Sequence, residues 1–197
     1  MKKFYFILLI STLLCACSKD EMDRTIFIWD ENDGNLPAYT EWGYNSFGAE
    51  YERVYFLATH SIVPCKIIYR DNQVQFSLNG RVSDYYGEEM SLIFAFPATQ
   101  TYREYYDLVG LNDVKIDLVA ANCTVKMAQG NQEAIPLDVI GGELHFKRAQ
   151  LLKIDDVVNR VILSGTFELR FLKNNFPTYL SNGRFDLGIT KKDFYTY

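Results

Sequence analysis

The sequence predicts an all-β domain: an antiparallel β-sandwich or partly closed β-barrel of about eight to ten strands, with at most one short helix. Three observations carry this reading. Apolar runs of strand length recur at roughly ten-residue spacing with turn residues between them. Aromatics make up 15% of the chain, with 14 Tyr and 14 Phe, and such side chains fill a pleated, half-buried surface. Strands do not alternate with long helical patterns, which argues against a parallel α/β sheet.

The elements follow in order. Residues 25–29 (TIFIW) read as a first strand, and residues 30–37 (DENDGNLP) as a concentrated turn signal. Residues 39–51 (YTEWGYNSFGAEY) hold five aromatics and two glycines. They fit neither the period of a strand nor that of a helix, so they predict an ordered loop or irregular strand packed through its rings. Residues 53–59 and 65–70 read as strands, the second closed by the turn pair Asp71-Asn72. Val74, Phe76 and Leu78 alternate with Gln73, Gln75, Ser77 and Asn79, the pattern of a sheet with one wet face. Asn79-Gly80 then signals a tight turn or bulge.

Residues 90–96 form an apolar strand stopped by Pro97. Residues 101–108 (TYREYYDL) predict the helix, with Tyr102, Tyr105 and Tyr106 on one face and Gly110 as its cap. Strands follow at 114–119 and 123–127. Residues 135–140 and 143–148 flank Gly141-Gly142 as a hairpin. The strand at 151–154 runs to Asp155-Asp156. Residues 160–171 read as one long strand with Gly165 as a bulge or bend. Asn174-Asn175 turns the chain into a closing strand that contains Asn182-Gly183.

The N-terminus predicts export. Lys2 and Lys3 precede an apolar run at 4–14, eleven residues long, where a spanning helix needs about 20. Residues 1–16 therefore read as a secretory signal. The run ends in Leu14-Cys15-Ala16-Cys17, which resembles a lipobox, in which a small residue precedes the lipidated cysteine. That divides the chain into a signal at 1–16, a lipidated tether at 17–24 and a single all-β domain at 25–197, with the membrane as partner through Cys17. The acidic Ser18-Lys19-Asp20-Glu21 resembles the signal that sends some lipoproteins to the outer surface of Gram-negative cells, which points to the cell envelope and its outer membrane. The formal charge of −5 falls to −7 without Lys2 and Lys3. Nucleic acid is thus a poor partner, because phosphate binding is led by Lys and Arg.

Chemistry-bearing motifs are few. Cys65 and Cys123 could form one disulfide in an oxidising compartment or stay as buried thiols; they are too sparse for a structural zinc site. His60 and His145 lack metal-ligand spacing, and neither Gly-x-Ser-x-Gly nor Ser-x-x-Lys occurs. Glu88-Glu89 and Asp155-Asp156 are adjacent carboxylates, which says nothing of the two converging carboxylates a glycosidase needs. Residues 30–35 have a calcium-loop flavour, but the glycine is misplaced and no helices flank it. No cofactor is expected. Trp42, Tyr44 and Phe47 remain: they are either a platform on which sugar rings stack or a plug that closes one end of the sandwich. The plug is the preferred reading.

Two regions carry a resemblance. The stretch 41–49 (EWGYNSFGA) resembles a signature of small exported lipoproteins of unknown function from Gram-negative gut bacteria. The blocks 163–167 (LSGTF) and 181–186 (SNGRFD) resemble that group's C-terminal arrangement. The resemblance implies an all-β exported domain and carries over no activity and no catalytic residue. The function expected is a non-catalytic, membrane-tethered binding or structural domain with a glycan, small-molecule or protein partner. A hydrolase and a subunit of a surface assembly are the alternatives.

Overall fold

A computed structural model describes residues 23–82 and 87–197. The signal at 1–16, Cys17 and most of the tether lie outside the described residues. The all-β expectation holds: a mostly antiparallel sheet curls into a half-barrel. Its strands are β1 (Ser46–Tyr51), β2 (Val54–Leu57), β3 (Cys65–Arg70), β4 (Gln73–Val82), β5 (Glu89–Pro97), β6 (Val114–Asp117), β7 (Thr124–Gln129), β8 (Ile135–Pro136), β9 (Asp138–Ile154), β10 (Val157–Lys173), β11 (Phe176–Ile189) and β12 (Phe194–Thr196). The order across the sheet is β6-β9-β10-β11-β1-β2-β4-β5-β7-β8, with β3 paired to β4 and β12 lying parallel to β3. The count exceeds the eight to ten expected because β2, β6, β8 and β12 are two to four residues long, too short for a period to register.

Local chemistry explains the hairpins. Asp71-Asn72, Asp155-Asp156 and Asn174-Asn175 each hold both residues at positive φ, between 50° and 67°. Two such residues make the turn whose twist matches the flanking strands, and Asp and Asn tolerate that region best after Gly. Two other turn signals fail. Asn79-Gly80 lies inside β4 and Gly141-Gly142 inside β9. At Gly80 the glycine serves close approach, since a Cβ there would stand 2.1 Å from the Leu57 carbonyl and 2.7 Å from the Phe47 ring.

The predicted helix forms three to four residues late, as a 3₁₀ helix at Tyr105–Leu111. The Asp107 carboxylate accepts the N–H groups of Arg103 and Glu104 and so fixes its start. Its buried residues, Leu108 and Leu111, follow the three-residue period of a 3₁₀ turn. Tyr102 packs into the core ahead of it. Residues 25–29 do not form a regular strand: they make one isolated bridge, Trp29 to Pro37.

The inside of the half-barrel is filled with rings. Phe76 on β4 lies 5.2 Å from Phe146 on β9 and 5.2 Å from Phe185 on β11, and Phe94 on β5 lies 5.6 Å from Phe167 on β10. Opposite walls therefore touch through phenylalanine.

Candidate functional site

Three sequence blocks converge on one carboxylate. On β10 and β11, Ser164 stands opposite Asp186, Gly165 opposite Phe185, Thr166 opposite Arg184 and Phe167 opposite Gly183. Side chains alternate between faces. The two Gly–Phe pairs point inward, and each ring lies over the facing glycine: a Cβ on Gly165 would stand 2.6 Å from the Phe185 ring, and one on Gly183 2.7 Å from the Phe167 ring. Ser164 and Asp186 point outward, where the 40–44 segment covers them.

Asp186 is 1% exposed. Its carboxylate accepts hydrogen bonds from the Ser164 hydroxyl at 2.9 Å, the Gly43 N–H at 2.7 Å, the Trp42 N–H at 3.1 Å and the Tyr44 N–H at 3.4 Å. The Thr40 hydroxyl donates a fifth bond at 2.5 Å. Beside it, Asn45 Oδ1 accepts the Gly188 N–H at 2.9 Å. Gly43 has φ +75° and sits against the Gly188 backbone, a conformation and a space that suit glycine. The segments 41–49, 163–167 and 181–186 are thus parts of one clamp.

The clamp decides the fate of the three aromatic candidates. Trp42 is 70% exposed, so the plug reading is corrected for this residue: its backbone is tied down by Asp186 while its indole stands in solvent. Tyr44 is half-buried. Phe47 is the plug, fully buried against Phe56 at 4.8 Å, and cannot belong to a surface platform. Trp42 and Phe47 differ because the chain enters β1 between them and alternation sends Phe47 inward.

Next to the clamp, the outer face of β9, β10 and β11 carries a groove of about 510 Å³ lined by Tyr39, Glu143, Thr166, Glu168, Asn182 and Arg184, among others. Arg184 is two residues from Asp186 along β11, about 7 Å. Tyr39 forms a wall, donating to Glu41 at 2.9 Å with Lys147 Nζ 5.0 Å from its ring centre. Burial, then the Glu41 hydrogen bond, push its hydroxyl well above the usual tyrosine value. Glu168 and Glu143 stand directly opposite each other across the strands. Sequence reasoning missed both Asp186 and the groove. The available signal was that the three recognised blocks each held a residue able to bond the others.

The remaining candidates resolve as structure. Asp30 accepts the N–H groups of Asn32 and Asp33 and pairs with Arg184 at 2.6 Å. The Asn32 N–H foremost, with Arg184 and the Asp33 N–H, holds its carboxyl below the usual range against an opposing effect of desolvation. The 30–35 segment is therefore a turn closed by its own side chains and an arginine.

Cys65 and Cys123 are both free thiols, the first buried and the second half-buried, so of the two readings the disulfide is the one that does not form. Cys65 pairs with Leu78, Leu78 with Leu92 and Leu92 with Met127, four residues from Cys123. Three strand spacings of about 4.8 Å and four residues of about 3.4 Å separate them, far beyond the roughly 7 Å Cα limit of a disulfide. Burial, and secondly Asp193, hold the Cys65 thiol well above its ordinary value. His145 bonds Asp113 at 3.0 Å, and His60 packs edge-on to Phe27. Among the described residues no group of three or more His, Cys, Asp or Glu could hold a metal ion, and no helix is long and apolar enough to cross a membrane.

No family model, curated protein or solved structure matches this chain.

Proposed function

We propose that the chain is an exported, lipid-anchored binding domain that meets a glycan on the outer face of β9–β11, with Trp42 as the stacking surface. One observation carries the reading. Trp42 is 70% exposed although its own N–H is bonded to a buried carboxylate. An indole on a mobile loop can fold back onto the protein; this one is held out in water. A preorganised aromatic loses little freedom on binding, and its flat apolar face matches the C–H face of a sugar ring. The groove beside the Asp186 clamp supplies hydroxyl, carboxylate, amide and guanidinium groups from Thr166, Glu143, Glu168, Asn182 and Arg184 for sugar hydroxyls. Tethering through Cys17 is supported by the Leu14-Cys15-Ala16-Cys17 box and the short apolar run before it.

The test is Trp42→Ala. The full-length protein and the variant are passed over gels containing neutral polysaccharides and their melts compared. The proposal expects retention of the parent, loss of retention by the variant and an unchanged melt, since an exposed side chain away from caps and cores costs within about 0.5 kcal/mol. Retention of neither protein on any gel, or equal retention of both, would count against it.

The opposed Glu143 and Glu168 favour a second reading, a glycoside hydrolase. Both are exposed, and Glu143 pairs with Lys115 at 3.5 Å; an acid and a base need two different environments. Release of new reducing ends from a retained polysaccharide, abolished by Glu168→Gln, would establish this second reading.

A further inference from the structure

Residues 25–29 leave three large apolar side chains in solvent: Ile26 is 43% exposed, Ile28 45% and Trp29 48%. The segment is a strap. One edge is fastened, with the Ile26 N–H donating to the Tyr44 carbonyl and the Ala38 N–H to the Ile28 carbonyl. Ile26 and Ile28 project to one side by alternation. On the other side Trp29 stacks on Phe27 at 5.1 Å between ring centres, and Phe27 packs edge-on to His60 at 5.9 Å. No charged residue lies between Arg24 and Asp30. A run this apolar on an exposed strap asks for an occupant.

We propose that the strap rests edge-on on the lipid surface, with Ile26 and Ile28 from one side and Trp29 from the other at the boundary between headgroups and acyl chains. The proposal rests on lipid anchoring at Cys17. Eight residue steps join Cys17 to Thr25, which at most span about 28 Å. A bilayer holding Cys17 therefore lies within about 28 Å of the strap. A tether this short keeps the local concentration of that surface high, so a weak contact suffices. The chemistry fits the site: tryptophan is favoured where one end of a side chain is apolar and the other wet, and aliphatic side chains add apolar area. Because the strap is uncharged, the contact needs no anionic lipid and persists at high salt.

The experiment uses the full-length lipidated protein carrying Trp42→Phe, so that Trp29 is the one indole of the chain's two that remains. It is reconstituted on phosphatidylcholine vesicles with and without dibrominated acyl chains. The proposal expects Trp29 emission to shift blue on vesicles, at least a twofold loss of intensity with brominated lipid, and no change between low and high salt. Replacing Ile26 and Ile28 with serine, which touches only exposed side chains, should at least halve that quenching while the protein still floats with vesicles. Protein that floats while Trp29 remains unquenched would overturn the strap and leave the anchor standing. Protein that does not float would defeat the anchor itself. A blue shift that grows with protein concentration in the absence of vesicles would overturn the strap in favour of self-association.

Discussion

Asp186→Ala should cost far more than a surface carboxylate normally does. The residue is buried and accepts five hydrogen bonds, from Ser164, Thr40 and the N–H groups of Trp42, Gly43 and Tyr44. Two of these bonds are fully buried, those from Gly43 and Ser164; a buried donor left without a partner costs roughly 1 to 3 kcal/mol. The other three donors are part-buried and recover water, losing about 0.5 kcal/mol each. Part of the loss is offset because a charge is no longer buried. The net effect is about 3 to 5 kcal/mol, a drop of roughly 6 to 20 °C in melting temperature for a domain of this size. Asp186→Asn keeps one acceptor oxygen and should lose about 2 kcal/mol. Urea denaturation gives the free energies. Trp42 anisotropy in a Trp29→Phe background reports the loop, and it should fall in the Asp186→Ala protein because the indole is released. A loss below about 1 kcal/mol, or an unchanged anisotropy, would refute the view that Asp186 organises the site.

Gly165→Ala should destabilise by about 1 to 3 kcal/mol or more through overpacking, because the new methyl would meet the His145 carbonyl at 2.1 Å and the Phe185 ring at 2.6 Å; a wild-type melt would contradict the Gly–Phe pairing. Asp30 has a lowered folded pKa, so its stabilisation is present above the ordinary carboxylate value and is lost as pH falls through the lowered one. The stability gap between wild type and Asp30→Asn, followed by urea melts from neutral to strongly acidic pH, should therefore close as pH drops, and a constant gap would contradict it. Cys65 should resist an aromatic disulfide reagent at pH 8 in the native state, being buried with a raised thiol, and react on unfolding. Rapid native modification of Cys65 would show that the end of β3 opens.

Much of the fold was legible because the hairpins are encoded locally. Asp71-Asn72, Asp155-Asp156 and Asn174-Asn175 announce their turns by residue type alone, and β3 falls where the apolar run predicts it. Asn79-Gly80 and Gly141-Gly142 misled because glycine has two uses. It permits a left-handed turn, and it clears space for another group; only the tertiary structure reveals that Phe47 lies over Gly80. Residues 25–29 have a strand's composition but pair only on one side of the 36–44 segment. The site was half legible. Trp42 and Phe47 could be picked out, yet their opposite fates depend on where β1 begins. Asp186 was invisible as an acceptor because four of its five donors lie more than 140 residues away in sequence.

The most direct test of the outer-face account is the Trp42 indole N–H signal in a ¹⁵N-labelled protein titrated with an oligosaccharide from a polysaccharide that the protein retains. The account predicts a saturable shift of the Trp42 indole together with backbone signals of Tyr39, Thr166 and Arg184, while the core signals of Phe76 and Phe146 stay in place. Shifts that leave Trp42 unmoved and gather instead around His60, Lys66 and Tyr195, which line the separate cleft of about 480 Å³, would contradict it.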